Sequence, residues 1–269
     1  MSLSLRYSCL LVLSLAAAST QSGFAQTPAA AHGVSRAQAV LSHAASENKF
    51  TFLVFFKQND AATAAMSSSL QKTLAEHADQ CVVTFVKVDD PAERALVAQY
   101  DVARSPMPLS LAIAPNGAIT GLLGAKFAAE HVHNSFVTPT MMSAMKSLQG
   151  GKLVFVTVRG AGGVNASTAL SELQTDPHFG PRMVTLAMNA ADPDEALFME
   201  QMKIDPRTNL TRIALLAPPG MLVAKFDANA SKNEIAAALA DAGKCCDDPN
   251  CKHNQSAGRT TAAPKSPRK

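Results

Sequence analysis

Three of the five cysteines in this 269-residue chain, Cys245, Cys246 and Cys251, fall together with His253 in the segment KCCDDPNCKHN. Three thiols and an imidazole are a reasonable tetrahedral donor set for Zn(II), and three thiolates alone suit Cu(I). The spacing C-C-x4-C-x-H matches no common zinc module. The same sulfurs fit a disulfide from Cys251 to Cys245 or Cys246, with the odd thiol free or joined to Cys81. Metal and disulfide exclude each other at the same sulfurs, so Zn or Cu is a cofactor only if the cluster stays reduced. Adjacent cysteines close only a strained ring, and a thiol–disulfide cycle would therefore run between Cys251 and one of the pair.

Other candidates are thinner. His131 and His133 stand two apart, and in an extended segment they would project to one side and share a metal, with Glu130 the nearest carboxylate. Met141, Met142, Met145 and Leu148 recur at helical spacing; thioethers take Cu(I), yet the same pattern fills cores, which is the expected role. Gly160 to Asn165, GAGGVN, has neither the Lys-Ser/Thr ending of a phosphate loop nor the spaced glycines of a dinucleotide site, and reads as a tight strand-to-helix turn. His43, alone on a helix, reads as a surface residue.

Composition removes several function classes. With no Trp and two Tyr there is little material for an aromatic cage or a base-stacking platform. The net charge of +3 is mild and dispersed except at the C-terminus, which argues against nucleic acid as a partner. MSLSLR followed by the apolar YSCLLVLSLAAA and the small-x-small Gly23-Phe24-Ala25 reads as a signal peptide over 1–25, so the chain is expected to be exported, periplasmic or secreted, with no membrane span after cleavage. Residues 26–33 read as a linker and 244–269 as a Cys-containing disordered tail.

The elements that must position these residues alternate between strand and helix patterns. VSRAQAVLSHAASEN reads as an amphipathic helix with Val34, Ala37, Val40 and Leu41 on one face. KFTFLVFF and CVVTFVKV are continuous apolar runs of the kind covered on both faces, and the alternation implies a mainly parallel core. Between and after them come the helical patterns AATAAMSSSLQKTLAEHA and PAERALVAQYDV, the proline pair of ARSPMPL, the strand LSLAIA, the turn Pro115-Asn116-Gly117 and the strand AITGLLG. A helix opening at Pro139 closes the unit. The pattern then recurs: KFTFLVFF against KLVFVTVR is offset by 103 residues, Asp90-Pro91 against Asp192-Pro193 by 102, and APNG against APPG by 103.

This order of strand, helix, strand, helix, proline, strand, turn, strand resembles the thioredoxin fold. The resemblance rests on VKVDDPAERALVAQYDV as strand, acidic turn and short helix, and on SPMPLSLAIAPNG as cis-proline, edge strand and hairpin. It implies an α/β chain of two tandem thioredoxin-like domains, 34–149 and 150–243, each a central mixed sheet flanked by helices. It also implies a cis bond before Pro108, with Pro106 the second choice, and a peptide-accepting groove formed by Asn59, Asp60, Thr63, Met107 and Pro108. The family's Cys-x-x-Cys is missing: Asp60 and Thr63 occupy the two cysteine positions, and neither supplies a thiolate. Asp60 is instead an N-cap for the helix that follows. In the second copy Thr211 stands where Pro108 does in the first, and Cys81 is expected at the start of a strand in a structural role.

The leading expectation is a redox-inactive module, not an enzyme, that binds other exported proteins or peptides. Metal binding through Cys245, Cys246, Cys251 and His253, and a thiol–disulfide oxidoreductase working through the same cysteines, are the alternatives.

Overall fold

The computed structural model describes residues 35–163, 168–177 and 179–242. The expected signal peptide, linker and cysteine tail lie outside these residues, as does Asn165 of the glycine loop.

The first sheet contains β1 (Phe50–Phe56), β2 (Cys81–Lys87), β3 (Leu109–Ile113) and β4 (Ile119–Leu123), in the order β2-β1-β3-β4. β1 is central and nearly every residue of FTFLVFF is buried, as a strand without alternation requires. Its even members, Phe52 and Val54, enter a core with Met66, Leu70 and Ala112. Its odd members, Leu53 and Phe55, meet Val86, Leu96 and Ile113 on the opposite face. Phe52 and Phe55 are fully buried, which at about 1.5–3 kcal/mol each makes this strand the largest single contributor to the first core.

Helices cover both faces. α1 (Arg36–Ser46) and α3 (Arg94–Gln99) supply Ala37, Leu96 and Val97 to one core. α2 (Ala61–Leu74), α4 (Ala129–His133) and α5 (Pro139–Gln149) supply Leu70, Val132 and Met145 to the other. The mainly parallel core expected from the alternation is not found. Only β1 with β2 is parallel; β1 with β3 and β3 with β4 are antiparallel. For β3 and β4 the reason is the Pro115-Asn116-Gly117 turn, where Gly117 at φ +78° reverses the chain and leaves no room for a crossover helix.

The second sheet repeats the first: β5 (Leu153–Arg159), β6 (Met183–Asn189), β7 (Arg212–Ala217) and β8 (Met221–Asp227), in the order β6-β5-β7-β8 with one parallel and two antiparallel pairings. α6 (Thr168–Thr175) and α8 (Lys232–Ala242) lie on one face with Leu170, Leu173 and Ile235, and α7 (Ala196–Gln201) lies on the other. Even the left-handed residue after the short helix is repeated, Asp101 at φ 49° and Lys203 at φ 55°.

α5 belongs to both sheets. Met142 and Met145 pack on the first core, while Met141, Ala144 and Leu148 pack with Val154, Val156 and Met199 in the second. The methionine helix thus does more than close the first unit, because it also plays for the second sheet the part α1 plays for the first. Its cap shows the same equivalence. Ser35 opens α1 and donates to the buried Glu93 at 2.5 Å; Thr138 opens α5 and donates to the buried Glu195 at 2.6 Å.

Candidate functional site

The sequence-predicted loop sits where β1 gives way to α2. Asp60 has extended backbone (φ −95°, ψ −179°), and its Oδ1 accepts from the Thr63 N–H at 2.9 Å, satisfying one of the free donors of the helix start. Those hydrogen bonds, backbone first and then side chain, hold the fully exposed Asp60 carboxyl below the ordinary aspartate range. Thr63 is buried, and its hydroxyl donates to the Gln58 carbonyl at 2.9 Å. The two side chains are therefore spent on local structure, and neither offers a free nucleophile.

Across from this loop the Met107–Pro108 bond is cis, while Pro106 is exposed and not the cis residue. Pro108 is buried and Met107 half-buried against the core that holds Phe55 and Leu109. Together they form a cleft of about 290 Å³ whose walls are Lys57, Gln58, Asp60 and Thr63 on one side and Ser105 to Pro108 on the other. No hydrogen bond of the described loops and turns uses the Met107 backbone. Four of the five predicted groove residues meet here. Asn59 does not: it faces a neighbouring cleft of about 450 Å³ with Phe56, Gln71 and the part-exposed Phe85, and Thr63 borders both. Lys57, Gln58 and Ser105 were missed, although their places beside the strand end and the proline pair were the available signal.

The corresponding place in the second domain is filled. The Gly162 N–H donates to the Asn209 carbonyl at 3.1 Å, and Leu210 and Thr208 bond to each other through the threonine hydroxyl. A Cβ on Gly160 would lie 2.4 Å from the Asn209 carbonyl carbon, and one on Gly163 would lie 2.2 Å from the Thr211 hydroxyl. The glycines let the loop press onto the 209–211 backbone, which agrees with a tight turn.

A larger cleft in this domain, about 800 Å³, is lined by Lys203, Asp205, Arg212, Lys225, Asp227 and Glu234 among others. Two of its cations are engaged: Arg212 pairs with Asp227, and Lys225 donates to the Lys203 carbonyl at 2.7 Å. Size alone does not make it a site, and the cleft beside the cis bond has the better chemistry.

The histidine pair expected to share a metal does not form. His131 and His133 lie in a helix, α4, where two residues apart means opposite sides, so the extended geometry assumed for them is wrong. His133 instead meets His77, with Nδ1 3.1 Å from His77 Nε2. Cys81 opens β2 as expected; its thiol donates to the His77 carbonyl at 3.2 Å, and burial, aided by Asp79, pushes its pKa up to about 11. Such a thiol is not a nucleophile near neutral pH. Cys245, Cys246, Cys251 and His253 lie outside the described residues, and among those described no group of three or more His, Cys, Asp or Glu could hold a metal.

No family model matches the chain, and no curated protein matches it. Among solved structures it is similar to the first two thioredoxin domains of Eps1p from Naumovozyma dairenensis, at 10% identity over 76% of this chain and 95% of that one, with a TM-score of 0.26. It is also similar to the N-terminal domain of alkylhydroperoxide reductase AhpF from Enterococcus faecalis, at 17% identity over 75% and 97%, with a TM-score of 0.28. A third is the germline thioredoxin Deadhead from Drosophila melanogaster, at 20% identity over 40% and 90%, with a TM-score of 0.30. What decides the fold is the order β2-β1-β3-β4 with its single parallel pair, found twice. Both domains are thioredoxin-like. Within that fold the first domain has its cis-proline, Pro108, beside an open cleft, while in the second Thr211 takes that position and the cis bond, Pro218–Pro219, lies between β7 and β8. Among the described residues no helix is long and apolar enough to cross a membrane.

Proposed function

We propose that this is an exported, redox-inactive tandem thioredoxin-like protein whose first domain binds extended segments of other proteins in the cleft beside Met107–Pro108. The observation that carries the reading is the contrast between the two copies. In the first, the Met107 backbone borders an open cleft with no partner in the described loops. In the second, the Leu210 backbone at the equivalent position already bonds to the Thr208 hydroxyl, and the glycine loop bonds to the Asn209 carbonyl beside it. An extended peptide would bond to Met107 as an added strand and set one side chain between Pro106 and the Lys57–Asp60 loop. Backbone pairing of this kind tolerates many sequences, as befits a module without a nucleophile. The reading without redox catalysis is supported by Asp60, whose carboxylate caps α2, and by Thr63, whose hydroxyl donates to the Gln58 carbonyl. Export rests on the signal-like character of residues 1–25.

The test is panning of a random peptide library on the full chain, followed by fluorescence anisotropy of the recovered peptides. Met107→Arg, which sets a bulky charged side chain at the cleft wall, is expected to weaken binding at least ten-fold in protein that melts as a folded chain. Peptides that bind Met107→Arg as well as the parent would overturn the site. Insulin reduction above background with Cys245, Cys246 and Cys251 all changed to serine would overturn the inactivity.

A further inference from the structure

We propose that His77 and His133 together form a binding site for a divalent transition-metal cation of the Zn(II), Ni(II) and Cu(II) class, bridging the turn after α2 to α4. His77 ends the 3-10 turn Ala75–His77 and His133 ends α4, so the donors come from segments 56 residues apart in sequence that the fold brings together. Their facing nitrogens, Nε2 and Nδ1, are 3.1 Å apart. Two imidazoles that bind one ion at about 2.0–2.1 Å, at angles between square and tetrahedral, place their nitrogens about 2.9–3.4 Å apart. The observed separation already falls in that window.

The rings are also held. Phe136 stacks on His77 with centroids 4.3 Å apart and planes 26° from parallel, and Phe136 is itself locked edge-on to Phe50. His77 is thus fixed, while His133 is exposed and can tilt its lone pair from the partner nitrogen towards an ion seated between them. Imidazole nitrogen is the donor this class of cation prefers, which sets it apart from Mg(II) or Ca(II).

The surroundings limit the strength. Cys81 does not join, because its sulfur hydrogen-bonds the His77 carbonyl and its thiol stays protonated. Among the described residues no third His, Cys, Asp or Glu completes the set, so water fills the remaining positions and the ion stays exchangeable. The Nδ1 of His77 is buried without an acceptor. When Nε2 binds the metal that nitrogen carries the proton, and leaving it unpaired weakens binding about ten-fold or more relative to a site with a carboxylate behind it.

The experiment uses the full chain with Cys245, Cys246 and Cys251 changed to serine, titrated calorimetrically with Ni(II), and compares His77→Asn, His133→Asn and His131→Asn. One ion per chain is expected for the parent and for His131→Asn, with at least ten-fold weaker binding in His77→Asn and His133→Asn. The exposed His133 can be replaced without disturbing a core, and its variant should melt like the parent in the absence of Ni(II). No uptake up to millimolar Ni(II), or uptake by His133→Asn equal to the parent's, overturns the proposal. Uptake lost equally in His131→Asn moves the site to α4 alone and overturns it as well.

Discussion

Replacing Thr138 by Val should destabilise both domains, and by more than Ser35→Ala does at the equivalent cap. In the native chain the Thr138 hydroxyl accepts from the Met141 N–H at 3.2 Å and donates to Glu195 at 2.6 Å. Valine fills the same volume and removes both bonds. Loss of the cap costs about 0.5–2 kcal/mol. Stranding a buried carboxylate adds about 1–3 kcal/mol or more, because the Thr138 hydroxyl donates to the Glu195 side chain in the native chain. The expected total is about 2–4 kcal/mol. Ser35→Ala removes a matching pair of bonds, but there Glu93 keeps the Ala37 N–H at 3.2 Å, so its cost should stay nearer to 1–2 kcal/mol. Urea unfolding of the two variants gives the comparison, and a cycle with Glu195→Gln isolates the coupling between Thr138 and Glu195. Since α5 packs on both cores, Thr138→Val should shift every unfolding transition, not only that of the second domain. A Thr138→Val variant no less stable than Ser35→Ala, or one whose first domain unfolds as before, would refute the reasoning.

Two further outcomes follow from titrating groups. Asp60 has a depressed pKa in the folded chain, so its cap contributes stability above the unfolded value of about 4 and loses it as pH falls through the lower folded value. The stability gap between the parent and Asp60→Asn should therefore be full near neutrality and close in acid, and a gap independent of pH between 2 and 6 would rule the cap out as its source. Cys81 has a raised pKa, so its contribution is complete below the unfolded thiol value of about 8.5 and is lost as pH rises towards about 11. In a chain without the tail cysteines, iodoacetamide at pH 8 should leave Cys81 unlabelled until denaturant is added; rapid labelling of the native chain would show the thiol to be accessible.

Much of the scaffold could be read from the residues. FTFLVFF signalled a two-sided strand because its apolar residues do not alternate, and the 103-residue offset located a second copy of every strand. The cis bond at Pro108 was legible only through the resemblance of SPMPLSLAIAPNG to a known hairpin, since local chemistry favours neither proline of the pair. Contacts between distant segments were not legible. His77 carries no pattern that would link it to His133, and the helical turn that separates His133 from His131 covers only five residues, too few for periodicity to show. Adjacency in sequence does not say which side of a loop a side chain takes, and Asn59 borders the cleft beside Phe56 and Phe85. Nothing in the sequence singles out Glu93 or Glu195, and only the packing of α1 and α5 shows that they accept from the residues that cap those helices.

Sharing α5 between two sheets sets where the chain can be divided. A cut at Gly150-Gly151, the boundary that glycines advertise, leaves the first fragment with Met141, Ala144 and Leu148 turned to water and the second with Val154, Val156 and Met199 uncovered. Neither half has a complete set of helices unless both carry residues 138–149, so the smallest separable units overlap by a helix.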